Sequence, residues 1–590
     1  MRLNQTRVRE FLLLTGLCGF FFFFRLSGIG LLGPDEPRYA QVAREMLARH
    51  DWVTPVLYGH TWLEKPILLY WGEMLSYSVF GISDWAARIP SAVAATLLVF
   101  GTFLAVRRIR FDARLDSALA IASSVLILGF ARAASTDMLL TAPFCLSMLA
   151  WFCWYQDESE NSSAGRRSSR VWLVLFYALN AVAMLAKGPV APGLAALVII
   201  AFCAVQRNPR AVVRTLDPAG IAVFFAVAAP WYVLVQLRTP EFFRVFFLEH
   251  NLARFGSNLY RHKQPFWYYI PVVLVATIPW TVWLLHGIAD AWAALRLQLS
   301  GGGKANVHPL ELTCADSVSG MAVSNEANRS EAAEADDPAP DSVFEIFLFL
   351  WALIPIAFFS ISRAKLPGYI LPAIPPLLIL AAVAVHRRDH RDERPRLFPV
   401  AAHALLLAGI IAALCVAPRL AFKLRFSAAS MMVAALAGTI VFLGVALPLL
   451  SAGWRMLRFA TLFPLILAVG FLLRGFAPVV EAIKSSRPVA ELLQRIEQPR
   501  ALPLATFSLN RETSFGLAFY LNHRVAPYEG LEISPAVYEL PAAIPASSHI
   551  LVTREGSLPA LRLLLAERKL RLVGAYSPQR IEIYEISPAP

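Results

Sequence analysis

The segment that organises this chain runs from Gly33 to Pro66 and reads GPDEPRYAQVAREMLARHDWVTPVLYGHTWLEKP. It begins where an apolar run ends near Leu32, and most of the remaining chain is hydrophobic. Two bases in it, Arg38 and Lys65, stand close to acids. The segment is either an ordinary solvated loop between two membrane spans or the floor of a functional cavity. Its acids are Asp35, Glu36, Glu45, Asp51 and Glu64.

The composition indicates a polytopic membrane protein. The 590 residues are 57% hydrophobic and only 16% charged, whereas a soluble domain is about 25% charged. The mean hydropathy is +0.55. The formal net charge of +13 does not indicate a nucleic-acid partner, because most Lys and Arg lie in short loops, where positive charge sets membrane orientation. The six cysteines show no metal spacing and no disulfide framework.

Apolar runs of about 17–25 residues predict the membrane spans. With the N-terminus inside, the inner loops at 107–110 and 387–391 are basic, as the positive-inside rule requires. An odd number of spans then puts the C-terminus outside. The 13 predicted spans lie near residues 10–31, 87–106, 115–132, 138–155, 171–186, 189–206, 218–237, 267–288, 343–361, 368–385, 397–417, 428–450 and 458–475.

The predicted fold class is an all-α polytopic membrane protein with a small C-terminal α/β domain. Residues 1–475 form the membrane domain, and residues 299–342, poor in large apolar side chains, predict a disordered inner linker. Residues 476–590 contain no span and predict an outer domain. Its expected elements are strands near 502–507, 549–552 and 580–586 and a helix near 559–568.

Helical spacing predicts two surface helices within residues 33–80, at 36–49 and 66–80. The first is expected to lie along the membrane with a polar face exposed. That polar face consists of Gln41, Arg44, Glu45 and Arg49, opposite the apolar Tyr39, Val42, Ala43, Met46 and Leu47.

Acids on the outer side are candidates for chemistry. Asp35 and Glu36 follow the first span, where a cavity of low dielectric constant with access to water tunes an acid for proton transfer. Asp35 could instead cap the helix that follows, since proline stands in its first turn. Asp137, in the turn between the third and fourth spans, has the same two interpretations. Glu64 could hold zinc with His250, although this spacing carries no metal motif.

Bases on the outer side, where membrane orientation does not require them, could hold a lipid phosphate. The alternative is that they snorkel to lipid head groups. These bases include Arg38, Lys65, Lys187, Arg254 and Lys365.

Six motifs follow one another in a characteristic order: DEPRY at 35–39, WLEKP at 62–66, STDM at 135–138, AKGP at 186–189, EHNLARF at 249–255 and KLPGY at 365–369. The set resembles the aminoarabinose (lipid A) transferase family, which stands with the dolichyl- or polyprenyl-phosphate-mannose protein mannosyltransferases in the GT-C glycosyltransferase superfamily. The resemblance covers about residues 10–390. It implies an inverting transfer of 4-amino-4-deoxy-L-arabinose, or a related pentose or hexose, from undecaprenyl phosphate to lipid A or another glycoconjugate or protein acceptor. It also implies a site on the periplasmic face of the bacterial inner membrane, in contact with membrane lipids.

The resemblance also implies roles for individual residues. Asp35 matches the catalytic carboxylate, with Glu36 beside it, and Asp137 matches a second acid of the site. Glu64 and His250 match a possible zinc site. Positions matching the donor and lipid-phosphate site are Arg38, Tyr39, Lys65, Lys187, Arg254 and Tyr369. This chain has Trp62 where the family often has Tyr.

Three other functions are consistent with a protein of this composition. A protein O-mannosyltransferase-like enzyme would use the same motifs on a different acceptor. A lipid-linked sugar flippase predicts charged residues deep within several spans or repeated halves, and the sequence shows neither. A membrane scaffold that works through its C-terminal domain predicts that the loop acids are dispensable.

Overall fold

The structure is a computed structural model. Helices dominate it, and a small sheet domain stands at the C-terminal end. The predicted linker at 299–342 falls almost entirely outside the described residues. Five of the six cysteines are described and carry free thiols, as expected from the sequence. The described residues are 2–159, 165–247, 264–300, 341–362, 364–421, 427–497, 502–522, 525–534, 538–565 and 568–588.

The first half of the chain is helical apart from one short hairpin. Its helices are α1 (Arg2–Cys18), α2 (Asp35–Ala48), α3 (Leu68–Phe80), α4 (Asp84–Ile109), α5 (Arg114–Ser123), α6 (Val125–Ala131), α7 (Thr136–Ser159), α8 (Gly165–Lys187), α9 (Val190–Val205), α10 (Pro209–Thr215) and α11 (Pro218–Arg238). The hairpin strands are β1 (Val56–Leu57) and β2 (His60–Thr61).

The second half adds further membrane helices and then the C-terminal domain. Its helices are α12 (Tyr269–Ala276), α13 (Thr281–Leu299), α14 (Asp341–Ile361), α15 (Ile374–His390), α16 (Leu397–Ala421), α17 (Ala428–Ala452), α18 (Leu457–Phe471), α19 (Ala477–Lys484), α20 (Arg487–Glu497), α21 (Arg511–Leu521) and α22 (Leu558–Leu564). Its strands are β3 (Leu504–Phe507), β4 (Ala526–Pro527), β5 (Leu531–Ser534), β6 (Tyr538–Leu540), β7 (His549–Arg554), β8 (Lys569–Tyr576) and β9 (Ile581–Ser587).

The multi-pass architecture is confirmed, whereas the number of 13 spans stays a prediction. Among the described residues, 8 helices are long and apolar enough to cross a membrane, or up to 10 if each of two bent pairs is one span. The pair α5 and α6 bends by 63°, and the pair formed by Phe266–Ala276 and α13 bends by 119°. The predicted first and sixth spans fall on shorter helices, and the last two fall within one helical run, Ala428–Lys484.

Local sequence fixes where the long helices begin and end. At the start of α4 the Ser83 hydroxyl accepts a hydrogen bond from the Ala86 N–H at 3.4 Å. At the start of α11 the Asp217 carboxylate accepts from the Gly220 N–H at 2.9 Å. Each bond satisfies an N–H that has no partner within its own helix. Arg107 stands in the last turn of α4, where the helix dipole favours a positive charge.

The segment from Gly33 to Pro66 folds into α2 and the hairpin, and α3 follows directly. Both predicted helices are therefore confirmed, with ends shifted by one or two residues, whereas their position along the membrane surface stays a prediction. The expectation that α2 exposes its polar face is wrong for the first part of that face. Gln41 is buried, and the half-buried Arg44 donates from its guanidinium to the Phe519 carbonyl of the C-terminal domain at 2.7 Å. Arg49, at the end of the helix, is exposed as expected.

The C-terminal domain is built on a five-stranded sheet in the order β4-β3-β7-β9-β8. Strand β3 runs parallel to β4 and β7, and β9 pairs antiparallel with β7 and β8. The three strands expected from the sequence are confirmed as β3, β7 and β9, and the expected helix is the shorter α22.

Direct hydrogen bonds join the C-terminal domain to the chain on both sides of the first acids. The Tyr520 hydroxyl accepts from the Leu31 N–H at 2.7 Å, and the Glu512 carboxylate accepts from the Gly33 N–H at 3.0 Å. Arg487 forms an ion pair of 2.5 Å with Asp84, the first residue of α4. The domain therefore holds the backbone that leads into Asp35.

Candidate active site

Asp35 is the first residue of α2, and its side chain is 56% exposed. Its Oδ1 accepts from Nη2 of Arg38, one turn later, at 2.5 Å. The capping interpretation of Asp35 is wrong, because Pro34 is the N-cap residue and no side chain caps this helix. The carboxylate therefore keeps access to the outer surface while an arginine fixes its position.

Arg38 is the centre of a group of charges, here called the Asp35 group: Asp35, Arg38, Glu64 and Lys65. Its guanidinium lies 3.6 Å from the Glu64 carboxylate and 4.9 Å from the centre of the Trp62 ring. Burial lowers the pKa of Arg38, but the carboxylates of Glu64 and Asp35 raise it more, so the net pKa lies above its ordinary value. Arg38 is thus a permanent, immobile cation.

Glu64 and Lys65 follow the hairpin that β1 and β2 form. The Lys65 ammonium lies 3.3 Å from Glu64 Oε1, and both side chains are about one-tenth exposed. The Lys65 side chain is mostly enclosed by protein, and the Glu64 carboxylate holds its ammonium at the edge of the group. Lys65 therefore does not extend freely to lipid head groups. An anion that entered here would meet two fixed cations, Arg38 and Lys65.

Tyr39 adjoins this group, with its ring centre 5.4 Å from the Arg38 guanidinium. Its ring packs edge-on against Tyr70 at 6.2 Å between centroids. Burial, and then the charges of Asp35 and Glu64, raise the pKa of Tyr39 well above its ordinary value. Tyr39, which was predicted to bind the donor, is therefore a neutral, buried phenol next to Arg38.

Glu36 is separated from Asp35 although the two are adjacent in sequence. Its carboxylate accepts from Arg88 Nη2 at 2.7 Å and from Arg88 Nε at 3.0 Å. It also accepts from the backbone N–H groups of Leu32 and Ala134, each at 2.7 Å. Both oxygens are thus engaged and the side chain is buried. Glu36 ties α2 to α4 and to the turn before α7.

A second group of outer residues, here called the Asp137 group, consists of Asp137, Lys187 and Tyr369. The Lys187 ammonium lies 2.5 Å from Asp137 Oδ1 and 5.3 Å from the centre of the Tyr369 ring. Asp137 stands in the first turn of α7 and Lys187 in the last turn of α8. Each charge is favoured by the dipole of its own helix, so the pair needs little reorganisation to form. Lys187 is paired with protein and does not snorkel.

Two glycines explain the local geometry of the Asp137 group. Gly188 has a φ of 83°, a left-handed conformation that glycine adopts at little cost, and it ends α8 directly after Lys187. Gly368 approaches Asp137 so closely that an added Cβ would lie 2.7 Å from Asp137 Oδ1. Larger side chains at 368 would displace Asp137 or its neighbours. These contacts account for the glycines in the AKGP and KLPGY motifs.

The two groups are linked through Glu36. Its bond to the Ala134 N–H reaches the turn that precedes Asp137 by three residues, while its own helix carries Asp35 and Arg38. The two groups and the shared anchor Glu36 therefore contain eight of the predicted site residues: Asp35, Glu36, Arg38, Glu64, Lys65, Asp137, Lys187 and Tyr369. His250 and Arg254 lie outside the described residues.

Lys365, a further predicted base, is buried and does not reach lipid. Its ammonium donates to the carbonyls of Ser362 at 2.5 Å and Gln264 at 3.1 Å. Burial lowers its pKa from the ordinary value. It closes the loop before Tyr369 instead of offering a free charge.

The zinc site stays a prediction. Among the described residues no three His, Cys, Asp or Glu side chains group together as metal ligands would. Glu64 lies between two cations, Arg38 and Lys65, an arrangement that weighs against adding a divalent cation at the same carboxylate.

Some residues around the site were not found from the sequence. Arg88 is a charged residue at the start of an apolar run, and that position was a signal that it needs a buried partner. Phe515 gives no such signal. It belongs to α21 of the C-terminal domain, yet the Arg38 guanidinium lies 5.9 Å from the centre of its ring.

The region that contains both groups is similar to known sequences. Residues 29–246, which include both the Asp35 group and the Asp137–Lys187 pair, match the family described as dolichyl-phosphate-mannose-protein mannosyltransferase. A curated protein of Pseudomonas aeruginosa, undecaprenyl phosphate-alpha-4-amino-4-deoxy-L-arabinose arabinosyl transferase, is 34% identical over 376 residues. A protein of the same name from Pseudomonas paraeruginosa is 33% identical over 376 residues. Each alignment spans 63% of this chain and 58% of the relative's length. The resemblance inferred from the motifs is confirmed.

Comparison with solved structures establishes the fold. The crystal structure of ArnT from Cupriavidus metallidurans bound to undecaprenyl phosphate matches with a TM-score of 0.71 at 24% sequence identity, covering 97% of each chain. The apo state of the same protein matches with a TM-score of 0.70. The predicted fold, a helical polytopic membrane domain with a small C-terminal α/β domain, is therefore confirmed.

Proposed function

We propose that this protein is an inverting, polyprenyl-phosphate-dependent glycosyltransferase. It moves 4-amino-4-deoxy-L-arabinose, or a related pentose or hexose, from undecaprenyl phosphate to lipid A or another acceptor. The reaction takes place on the periplasmic face of the bacterial inner membrane. The names of the curated relatives and the undecaprenyl phosphate bound to the matching crystal structure support this proposal.

One structural observation supports it most directly. Two acid–base groups, Asp35 with Arg38 and Asp137 with Lys187, are connected through the Glu36 anchor. A transferase that releases a phosphate needs fixed cations at the leaving group and an acid near the reacting carbon. Both kinds of group are present, and each cation is held in place by a neighbouring carboxylate.

The proposed reaction is a single displacement. The bond between the anomeric carbon and the donor phosphate oxygen breaks, and its electron pair leaves with the phosphate. An acceptor oxygen forms the new bond from the opposite face, so the configuration inverts. Lys65, Lys187 and Arg38 stabilise the charge that develops on the leaving phosphate.

The acceptor decides whether a base is needed. An acceptor phosphate oxygen is already anionic, and then Asp35 positions Arg38 and the sugar. An acceptor hydroxyl must lose its proton, and then Asp35, the most exposed acid of its group, takes it. Glu36 does not transfer protons in either case, because both its oxygens are occupied.

A divalent metal at Glu64 and His250 is a separate proposal, and the displacement above does not depend on it. Metal analysis of the purified protein tests it, with His250→Ala as the control. Stoichiometric zinc that is lost in His250→Ala supports the site. Equal metal content in both proteins contradicts it.

A protein O-mannosyltransferase-like activity is the second candidate. It is favoured by the family match over residues 29–246. This second candidate transfers the sugar to a protein hydroxyl and not to a glycolipid. Because a hydroxyl must lose its proton, the reaction depends on Asp35 as a base.

Mass spectrometry of lipid A and of surface glycoproteins from a deletion strain separates the candidates. We expect one glycosylated species to disappear, to return with the wild-type gene, and not to return with Asp35→Asn. Glu241→Gln, which changes another well-exposed acid, is the matched control and should restore the product. Identical profiles in the deletion and parent strains would contradict the proposed function.

A further inference from the structure

The C-terminal domain contains a cavity with a net positive lining. The cavity has a volume of about 250 Å³. Three bases, Lys484, Arg554 and Arg580, and one acid, Glu512, contribute to its wall. No ion pair joins any of these bases to an acid among the described residues. Glu512 is engaged with the backbone of Gly33 at 3.0 Å.

Several different elements build this cavity. Lys484 ends α19, Arg554 ends β7, and Arg580 precedes β9. Gln579 clamps the turn onto α19 by donating to the carbonyls of Ser485 at 2.6 Å and Ala482 at 3.1 Å. The fold therefore brings these three exposed residues, which are far apart in sequence, to the wall of one cavity.

The cavity also faces the start of a helix. Asn510 and Thr513 line it, and the Asn510 side chain caps α21 by accepting from the Thr513 N–H at 2.9 Å. The positive end of the helix dipole adds to the field of the three bases. An anion is the ligand that this combination of charges favours.

The position of the cavity indicates where its ligand comes from. Helix α19 continues the last membrane span and has 8 residues, which rise about 12 Å. Lys484 is therefore expected to lie close to the lipid head groups on the outer face of the membrane that the protein spans. On the other side, Glu512 contacts Gly33, only two residues before Asp35. A ligand anchored in the cavity would have its neighbouring sugar close to the candidate active site.

We propose that this cavity binds a phosphate on the head group of the glycolipid acceptor. The inference rests on the proposed function and names the acceptor class for it. The phosphate in the cavity anchors the acceptor and does not react. The acceptor oxygen that forms the new bond lies near Asp35. The donor phosphate is held separately, by Lys65 and Lys187.

Removing two of the three charges tests this proposal in the full-length protein. In Lys484→Gln/Arg554→Gln we expect the KM for a phosphorylated glycolipid acceptor to rise at least about tenfold, since charge-assisted hydrogen bonds are lost. The kcat and the affinity for undecaprenyl phosphate should change less than about twofold by the same reasoning. Arg562→Gln, which removes an exposed charge on α22 of the same domain, is the matched control and should leave the KM unchanged.

Direct binding provides a measurement that does not require transfer. The probes are lipid A with its phosphates and enzymatically dephosphorylated lipid A, each in mixed micelles, and inorganic phosphate alone. We expect only phosphorylated lipid A to bind the wild type well and to lose affinity in the double variant. Equal binding by the double variant, equal binding of dephosphorylated lipid A, or equally tight binding of inorganic phosphate would each overturn the proposal. If the wild type binds phosphorylated lipid A in this way but transfers no sugar to it, the proposed function fails while the anion site stands.

Discussion

Asp35 and Glu36 are adjacent carboxylates at the start of one helix, but they belong to two very different regions. Glu36 is buried and accepts four hydrogen bonds, from Arg88 and from the Leu32 and Ala134 backbones. Asp35 is 56% exposed and pairs with Arg38 among the residues that the structure describes. Helix geometry explains the separation, because consecutive residues point about 100° apart around the axis.

The difference in hydrogen bonding and exposure assigns different roles to the two acids. A carboxylate with both oxygens occupied by fixed donors has no capacity to accept a further proton or hold substrate. It can, however, position the elements that carry other groups. A carboxylate with one partner and access to the outer surface can do chemistry. The candidate site therefore consists of an open part, the Asp35 group, and a sealed part, the Glu36–Arg88 pair.

Breaking the sealed part should have the largest effect. In Glu36→Gln the Arg88 charge remains buried without its anion, which costs about 3–5 kcal/mol of stability. We expect a strongly lowered thermal unfolding midpoint in detergent. The double variant Glu36→Gln/Arg88→Met, which removes the orphaned charge, should recover part of that loss. A single variant as stable as wild type would show that the pair does not anchor the site.

Changing the open part should affect activity and not stability. We expect Asp35→Asn to lose about a hundredfold or more in kcat with an alcohol acceptor. Its unfolding midpoint should stay close to wild type, because Asp35 is more than half exposed and the buried Arg38 keeps the Glu64 carboxylate beside it. Transfer assays on purified protein, with Glu241→Gln alongside, measure this. An activity loss that merely parallels a loss of folded protein would remove the distinction between the two regions.

A smaller effect is expected at the edge of the open part. Lys65→Gln should weaken undecaprenyl phosphate binding about tenfold, since one charge-assisted contact is lost, and Lys65→Arg should retain most of it. Competition with a labelled polyprenyl phosphate measures the affinity of each variant for undecaprenyl phosphate. Unchanged affinity in Lys65→Gln would place the donor phosphate elsewhere.

The smallest effect concerns Glu73, a third acid packed near Glu36. Its carboxyl is fully buried, with no hydrogen-bond partner among the described residues. Burial, and then the charge of Glu36, raise its pKa well above the ordinary 4.5. Above pH 4.5 the unfolded protein releases this proton while the folded protein keeps it, so stability falls as pH rises.

Glu73→Gln removes that pH dependence without changing the side-chain shape. We expect the variant to be at least as stable as wild type at pH 8, with the difference shrinking as the pH approaches 4.5. Unfolding midpoints measured across this pH range test the expectation. A variant less stable than wild type at pH 8 would mean that the Glu73 carboxylate is ionised and paired in the folded protein.

Much of the membrane region could be predicted from the sequence, because apolar length and charge asymmetry are local properties. The runs around α4, α7 and α15 gave spans whose positions the structure confirms. The surface helices α2 and α3 followed from helical spacing. Gln41 and Arg44 of α2 were assigned to water incorrectly, since the sequence of that helix carries no information about the C-terminal domain that packs against it.

The candidate site divides in the same way. Sequence by itself determined which residues are candidates for the site, namely the acids Asp35 and Asp137 and the bases Lys65 and Lys187, and it placed Arg38 close to Asp35, because motif order and helical spacing are encoded along the chain. Only the tertiary structure decided the long-range partners: Glu36 with Arg88, and Asp137 with Lys187. The physical reason is that hydrogen bonds and ion pairs act over about 3 Å between groups that the chain separates by up to dozens of residues, so packing alone selects which charges meet.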